Sequence, residues 1–194
     1  MATVTSPNET YTPEQYLDLE VESDIRNEYR DGIIGPMTGG TPEHNKIASA
    51  LNALLWFSVR EQPYSVFVTD QRLWIPAVNL YTYPDVMVIA DPVELKPGRK
   101  DTVTNPLLLA EILSESTKNY DRGEKFESYR TIATFQEYLL IDQKRPYVEH
   151  SVKQAEDQWL MTEYRSLNDR IQLISVPAEL NLKDLYAGVM ATND

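Results

Sequence analysis

Two carboxylates stand out by where they sit. Asp85 lies in Tyr83-Pro84-Asp85-Val86-Met87-Val88-Ile89, and Glu111 lies in Leu107-Leu108-Leu109-Ala110-Glu111-Ile112-Leu113. Each is a lone acid inside a short apolar run of the kind that forms a buried strand. An ionised carboxylate stays in such surroundings only when a cation or hydrogen bonds compensate it. Two of them suggest acids meeting at a divalent metal, and hence a hydrolytic site. The chain has no cysteine and only two histidines, His44 and His150. Thiolate chemistry, disulfides and a multi-histidine cage are therefore excluded. Oxygen ligands would dominate, which favours Mg2+ or Mn2+.

Strand side chains alternate between faces, so Asp85 shares a face with Met87 and Ile89, and Glu111 with Leu109 and Leu113. On neighbouring strands the two acids can point the same way. Pro84 suits a strand start and not a central ladder position, which would leave Asp85 where a sheet opens. A helix expected from Asp121 to about Thr131 places Asp121, Lys125 and Tyr129 on one stripe, four residues apart. From there Lys125 can reach over the end of the preceding strand toward Glu111, to orient an attacking water or neutralise charge on a phosphate. Each assignment has a plainer counterpart. Asp85 can cap a loop, Lys125 can be a solvated helix lysine paired with Asp121, and Tyr129 can be core. His44, near the start of a helix, can bond locally. Asp70, Asp121 and Asp142 have no assigned task, beyond Asp142 ending a strand.

The elements that must position these residues follow from local signals. Thr12-Pro13-Glu14 and Thr41-Pro42-Glu43 both read as N-cap, proline and first-turn acid, starting helices that end near Ser23 and Arg60. Asp31-Gly32 marks a hairpin. Extended segments are expected over 64–75, 83–89, 107–113, 137–142, 147–153, 158–165 and 170–174, with a last short helix near Asn181. The unit from Leu107 to Asp142 reads as a parallel strand-helix-strand crossover. The expected fold is α/β, one central mixed β-sheet flanked by helices. Residues 1–11 read as a loose arm and 12–190 as a single domain.

These segments carry a resemblance. An acid at a strand start, a second acid on the next strand and then a lysine resemble the PD-(D/E)XK nuclease superfamily. More closely, the chain is similar to the Uma-two family of candidate restriction endonucleases, abundant in cyanobacteria. The matching segments, in order, are Glu28-Tyr29-Arg30-Asp31-Gly32, Pro42-Glu43-His44-Asn45, Tyr83-Pro84-Asp85-Val86, Leu109-Ala110-Glu111-Ile112-Leu113-Ser114 with Ser116-Thr117, Asp121-Arg122-Gly123-Glu124-Lys125 with Tyr129, and Glu137-Tyr138-Leu139-Leu140-Ile141-Asp142. A Pro-Asp pair alone is common; the ordered set is specific. The resemblance implies a restriction-endonuclease-like fold, Asp85 and Glu111 as magnesium ligands, and Glu28 as an additional acid near the metal. Glu28 can otherwise be an exposed hairpin charge facing Arg26 or Arg30. The superfamily's lysine usually stands two residues after the strand acid, where this chain has Leu113; the resemblance moves that role to Lys125.

Net charge is −12, which supports solubility and opposes phosphate binding by a single chain. Two functions are therefore expected in contest. One is a Mg2+-dependent endonuclease hydrolysing DNA phosphodiester bonds, for which a homodimer would suit two-strand cleavage and could assemble a basic groove. The other is a binding or regulatory module that kept the fold and lost the chemistry. No apolar run approaches the ~18 to 20 residues that span a bilayer, the N-terminus has no secretory pattern, and a cytoplasmic location is expected.

Overall fold

The computed structural model of the chain describes residues 9–37 and 39–190. Most of the expected N-terminal arm, residues 1–8, lies outside them. Tyr11 is held: its N–H donates to the Gly32 carbonyl (2.9 Å), and its own carbonyl accepts from the Tyr29 hydroxyl (2.9 Å).

Helix α1 (Pro13–Glu22) starts with a full capping box. Thr12 accepts from the Gln15 N–H, and Gln15 accepts from the Thr12 N–H. Strands β1 (Asn27–Arg30) and β2 (Ile33–Pro36) form the expected hairpin. Asp31 and Gly32 both have positive φ, 43° and 97°, as a tight two-residue turn of this hand requires. Helix α2 (Pro42–Val59) is capped by Thr41 and buries Ile47, Ala48, Leu51, Leu55 and Val59 along one side.

The segment expected as one strand over 64–75 is two, β3 (Tyr64–Val68) and β4 (Arg72–Ile75), belonging to different sheets. The polar Thr69-Asp70-Gln71 turn separates them; the apolar pattern on either side carries no mark of the change of sheet. Beyond a short 3-10 turn at Pro76–Val78 come β5 (Leu80–Thr82) and β6 (Val86–Ala90). The strand expected over 83–89 thus begins later, because Tyr83-Pro84-Asp85 carries the chain from one sheet to the other. Strands β7 (Thr102–Val103) and β8 (Leu108–Leu113) follow. The helix expected from Asp121 is two, α3 (Lys118–Arg122) and α4 (Glu124–Arg130), broken at Gly123, whose φ and ψ of −104° and −103° lie outside the helical range. The chain closes with β9 (Glu137–Asp142), β10 (Val148–Ala155), β11 (Gln158–Tyr164), β12 (Arg170–Gln172), β13 (Glu179–Asn181) and α5 (Leu182–Leu185).

The expected central mixed sheet is the six-stranded one, ordered β11-β10-β9-β8-β6-β3. Its β8–β9 pair is parallel, as the crossover requires, and its other pairs are antiparallel. Strands assigned to no second sheet from sequence form one, β2-β1-β5-β4-β7, and β12-β13 form a ribbon. Val86, Val88, Leu108, Ala110 and Ile112 face α2, the ribbon and α5. Met87, Ile89, Leu109 and Leu113 face the opposite way, onto Tyr129, Phe135, Tyr138 and the second sheet's Leu73, Ile75 and Leu80. Glu111 points to this second side. Among the described residues no helix is long and apolar enough to cross a membrane.

One buried acid serves the fold. Glu137, fully buried at the start of β9, accepts from His150 Nε2 (2.5 Å), the Ser175 hydroxyl and the N–H groups of Ile174 and Ser175. It ties the loop before β13 to the central sheet. Burial pushes its pKa up, but the His150, Ser175 and Ile174 hydrogen bonds outweigh that and hold it below the usual carboxylate value. A depressed folded-state pKa adds stability that is present above the unfolded value, 4.5, and is lost as pH falls through the folded one. Glu137→Gln turns a pure acceptor toward these donors with an amide, and should cost about 3–5 kcal/mol at pH 7. Urea unfolding of both proteins should show this gap narrowing below about pH 4.5. A gap that is flat or widens on acidification refutes the account.

Candidate active site

The ladder between β6 and β8 pairs Val86 with Ala110. Carried back one residue, that register sets Asp85 across from Glu111. Asp85 occupies the crossing between the two sheets, where it is only partly covered. Its Oδ2 accepts from the backbone N–H of Ile112 (2.8 Å) and lies 3.1 Å from His44 Nε2 at the start of α2. Glu111 is buried, and its Oε1 takes two contacts, from the Tyr129 hydroxyl (2.6 Å) and Lys125 Nζ (2.8 Å). Lys125 Nζ is also 3.6 Å from Asp121 Oδ1. The 121/125/129 stripe read from sequence therefore survives the break at Gly123, with all three side chains buried.

The electrostatics follow from this burial. Loss of water pushes the Glu111 pKa up; Lys125 pulls it down, Asp85 and Asp121 push it back, and it reaches about 8. Burial disfavours the Lys125 ammonium, yet Glu111, Asp121 and Glu28 raise its pKa above the ordinary lysine value, so it remains charged. His44 is likewise disfavoured as a cation by burial, and the Asp85 contact more than restores it, raising its pKa.

Glu28 sits one step away. Its Oε1 accepts from the Tyr120 hydroxyl (2.6 Å) and its Oε2 from the Thr82 hydroxyl (2.7 Å). Its charge acts on Lys125, and the Tyr120 ring it holds lies with its centre 6.0 Å from Lys125 Nζ. Among the described residues no three His, Asp or Glu side chains are gathered to hold a metal. Asp85 Oδ1 and Glu111 Oε2 accept no hydrogen bond from a described residue, whereas Asp85 Oδ2 and Glu111 Oε1 are occupied. Two facing carboxylates with one uncommitted oxygen each fit magnesium, which binds through one or two carboxylates and completes its shell with water and phosphate oxygens.

Lys125 contacts Glu111 directly, and the β6–β8 register, carried back one residue, sets Asp85 opposite Glu111. The tasks of Tyr129, Asp121 and His44 emerge only in three dimensions. Tyr129 is both core and hydrogen-bond donor. Its four-residue spacing from Lys125 was the available signal. Nothing in the sequence marked Tyr120 as the partner of Glu28. Asp70 is on the surface, paired with Arg26, and Asp142 accepts from the Lys144 N–H just past its strand.

A profile of the Uma2 family, described as "Putative restriction endonuclease", matches residues 13–184. The chain belongs to this family. Two relatives come from Synechocystis sp., each named an uncharacterized protein. One, sll1609, is 40% identical over 169 residues, covering 87% of this chain and 96% of the relative. The other, slr1290, is 32% identical over 186 residues, covering 95% of each. The fold is similar to the crystal structure of a "putative nuclease belonging to DUF820" from Anabaena variabilis, with a TM-score of 0.74, 18% identity, and coverage of 93% of this chain and 99% of that one. At that identity the likeness shows the fold, a restriction-endonuclease-like arrangement of mixed sheets and helices. The Uma2 match spans every element that carries Glu28, His44, Asp85, Glu111 and Lys125.

Proposed function

We propose that this Uma2 chain is a divalent-cation-dependent endonuclease that hydrolyses DNA phosphodiester bonds. The observation that carries the reading is buried Lys125 2.8 Å from Glu111, with Asp85 set opposite Glu111 by the β6–β8 register. Asp85 and Glu111 are the residues that would hold Mg2+ or Mn2+. When bound, the cation would lower the pKa of a coordinated water and offset charge on the scissile phosphate. Lys125 takes the place of the strand lysine that this chain lacks at Leu113. It holds Glu111 in one orientation and offers an ammonium beside the reacting phosphate. Tyr129 fixes the same oxygen from the other side. Glu28 stands as the additional acid, adding negative charge near Lys125. A homodimer would give one site for each strand of a duplex.

The test is calorimetric titration with Mn2+ beside nicking of supercoiled plasmid in Mn2+ or Mg2+. Saturable binding with nicking supports the nuclease. Failure to bind Mn2+ overturns it. One observation favours the binding-module alternative: Glu111 has a pKa near 8 and is already engaged by Lys125, which describes a site closed on itself. Saturable Mn2+ binding with no cleavage of single- or double-stranded DNA would select it.

Glu28 separates by its own variant. Glu28→Gln keeps an acceptor for Tyr120 or Thr82, so nicking should fall about tenfold while Mn2+ affinity stays within about twofold. A loss of Mn2+ affinity as large as that of Asp85→Asn would instead make Glu28 a direct ligand.

A further inference from the structure

We infer that Gly40 and His44 form a positioning device for Asp85: the missing side chain at residue 40 makes the slot in which the His44 ring seats, and the ring then fixes which Asp85 oxygen is left open to a cation. This rests on the reading that Asp85 holds the metal.

Three observations converge. His44 Nε2 is 3.1 Å from Asp85 Oδ2, with both side chains largely covered. The same Oδ2 accepts from the Ile112 N–H (2.8 Å). Two donors on one oxygen fix the rotation of the carboxylate and direct Oδ1 away from both of them. Partners of this kind orient ligands and raise metal affinity without touching the metal. The slot is the third observation. A Cβ built on Gly40 would lie 2.6 Å from His44 Nδ1 and 2.9 Å from its Cγ. These are approaches that real side chains do not make, so the ring would have to move. Gly40 has no positive φ, so the requirement for glycine is the space and not the backbone. Nδ1 is buried without a well-formed hydrogen bond among the described residues, and Asn45 Oδ1, which the same Cβ would meet at 2.9 Å, lies on that side. The ring is therefore held there by packing against the Gly40 slot and Asn45, and by Asp85 on the other side. Gly39 is different: a Cβ there meets nothing within 4 Å.

The device makes a remote loop glycine and a helix histidine act as one unit. Mn2+ binding to the full chain, followed by calorimetry, should weaken about tenfold or more in His44→Ala. Gly40→Ala should weaken it equally, and the double variant should be no worse than the weaker single one, because both changes remove the same contact. Gly39→Ala should bind as wild type. His44→Gln, whose amide N–H can reach Asp85 and which carries no charge, should recover most of the affinity. Melting temperatures in metal-free buffer monitor folding; should Gly40→Ala not fold, the His44→Ala and His44→Gln pair decides. Wild-type affinity in both His44→Ala and Gly40→Ala, with affinity lost in Asp85→Asn, overturns the device and leaves the metal reading standing. Additive losses in the double variant also overturn it. No Mn2+ binding by the wild type removes the metal reading and this inference together.

Discussion

Asp85→Asn and Glu111→Gln should each abolish the proposed divalent-dependent nicking, lowering the rate at least about 1,000-fold, equivalent to roughly 4 kcal/mol of lost transition-state stabilisation. The size follows from a two-carboxylate site: with either acid neutral, a single charged ligand remains, and a hydrated cation is poorly held. Asp85→Asn should leave the fold intact, whereas Glu111→Gln should also cost stability, because it leaves the buried Lys125 ammonium with Asp121 as its remaining carboxylate. Asn at position 85 still accepts from the Ile112 N–H and His44, and Gln at position 111 still accepts from Tyr129. Thermal melts give an independent measure. A ligand that binds only the folded state adds about 2.7 kcal/mol at one hundred times its Kd, which for a chain of this size is roughly 5–10 °C. Wild type should gain this on adding Mn2+, and both variants should not. Either variant nicking at the wild-type rate, or melting with the wild-type gain, removes it from the site.

Lys125→Met should lose both stability and activity. Lys125 and Glu111 are both 4% exposed and 2.8 Å apart. Removing one partner of such a pair costs about 3–5 kcal/mol, because the other charge is left buried. Glu111 limits the damage by taking a proton: without the ammonium its folded-state pKa rises beyond about 8. A raised folded-state pKa gives stability that is full below the unfolded value, 4.5, and is lost as pH rises through the folded one. The deficit of Lys125→Met relative to wild type should thus be smaller at pH 5 than at pH 9, as measured by urea unfolding in metal-free buffer. Nicking should fall about 100- to 1,000-fold as the positioned ammonium disappears. Should stability be unchanged at pH 9, the buried pair contributes nothing and Lys125 is an ordinary helix lysine.

Much of the site was visible in residue type and spacing. Lone acids in apolar runs marked Asp85 and Glu111, and strand alternation set their faces. Helical spacing tied Asp121, Lys125 and Tyr129 into one stripe. Helix starts were legible because Thr-Pro-Glu encodes its cap locally, and the hairpin because Asp31-Gly32 supplies the positive φ values its turn needs. These are short-range signals, decided within a few residues.

The same signals were blind where long-range contacts decide. Glu137 is also a buried acid on a largely apolar strand, yet it is satisfied by His150, Ser175 and backbone N–H groups from distant segments. Glu111 meets a lysine and a tyrosine instead. No local pattern separates the two, because the difference lies in which partners the fold brings to each carboxylate. The division of 64–75 between two sheets was hidden for a related reason: an apolar alternation says that a strand is half-buried, not which sheet buries it. His44 and Gly40 join the site only because α2 starts beside the crossing that carries Asp85. The sequence by itself determined the two acids, the lysine, their faces and the local elements that bear them. Tertiary structure alone decided that Glu111 meets Lys125 and Tyr129 while Glu137 is sealed by His150, Ser175 and backbone N–H groups, since burial and donors are properties of packed neighbours and not of the residues in line.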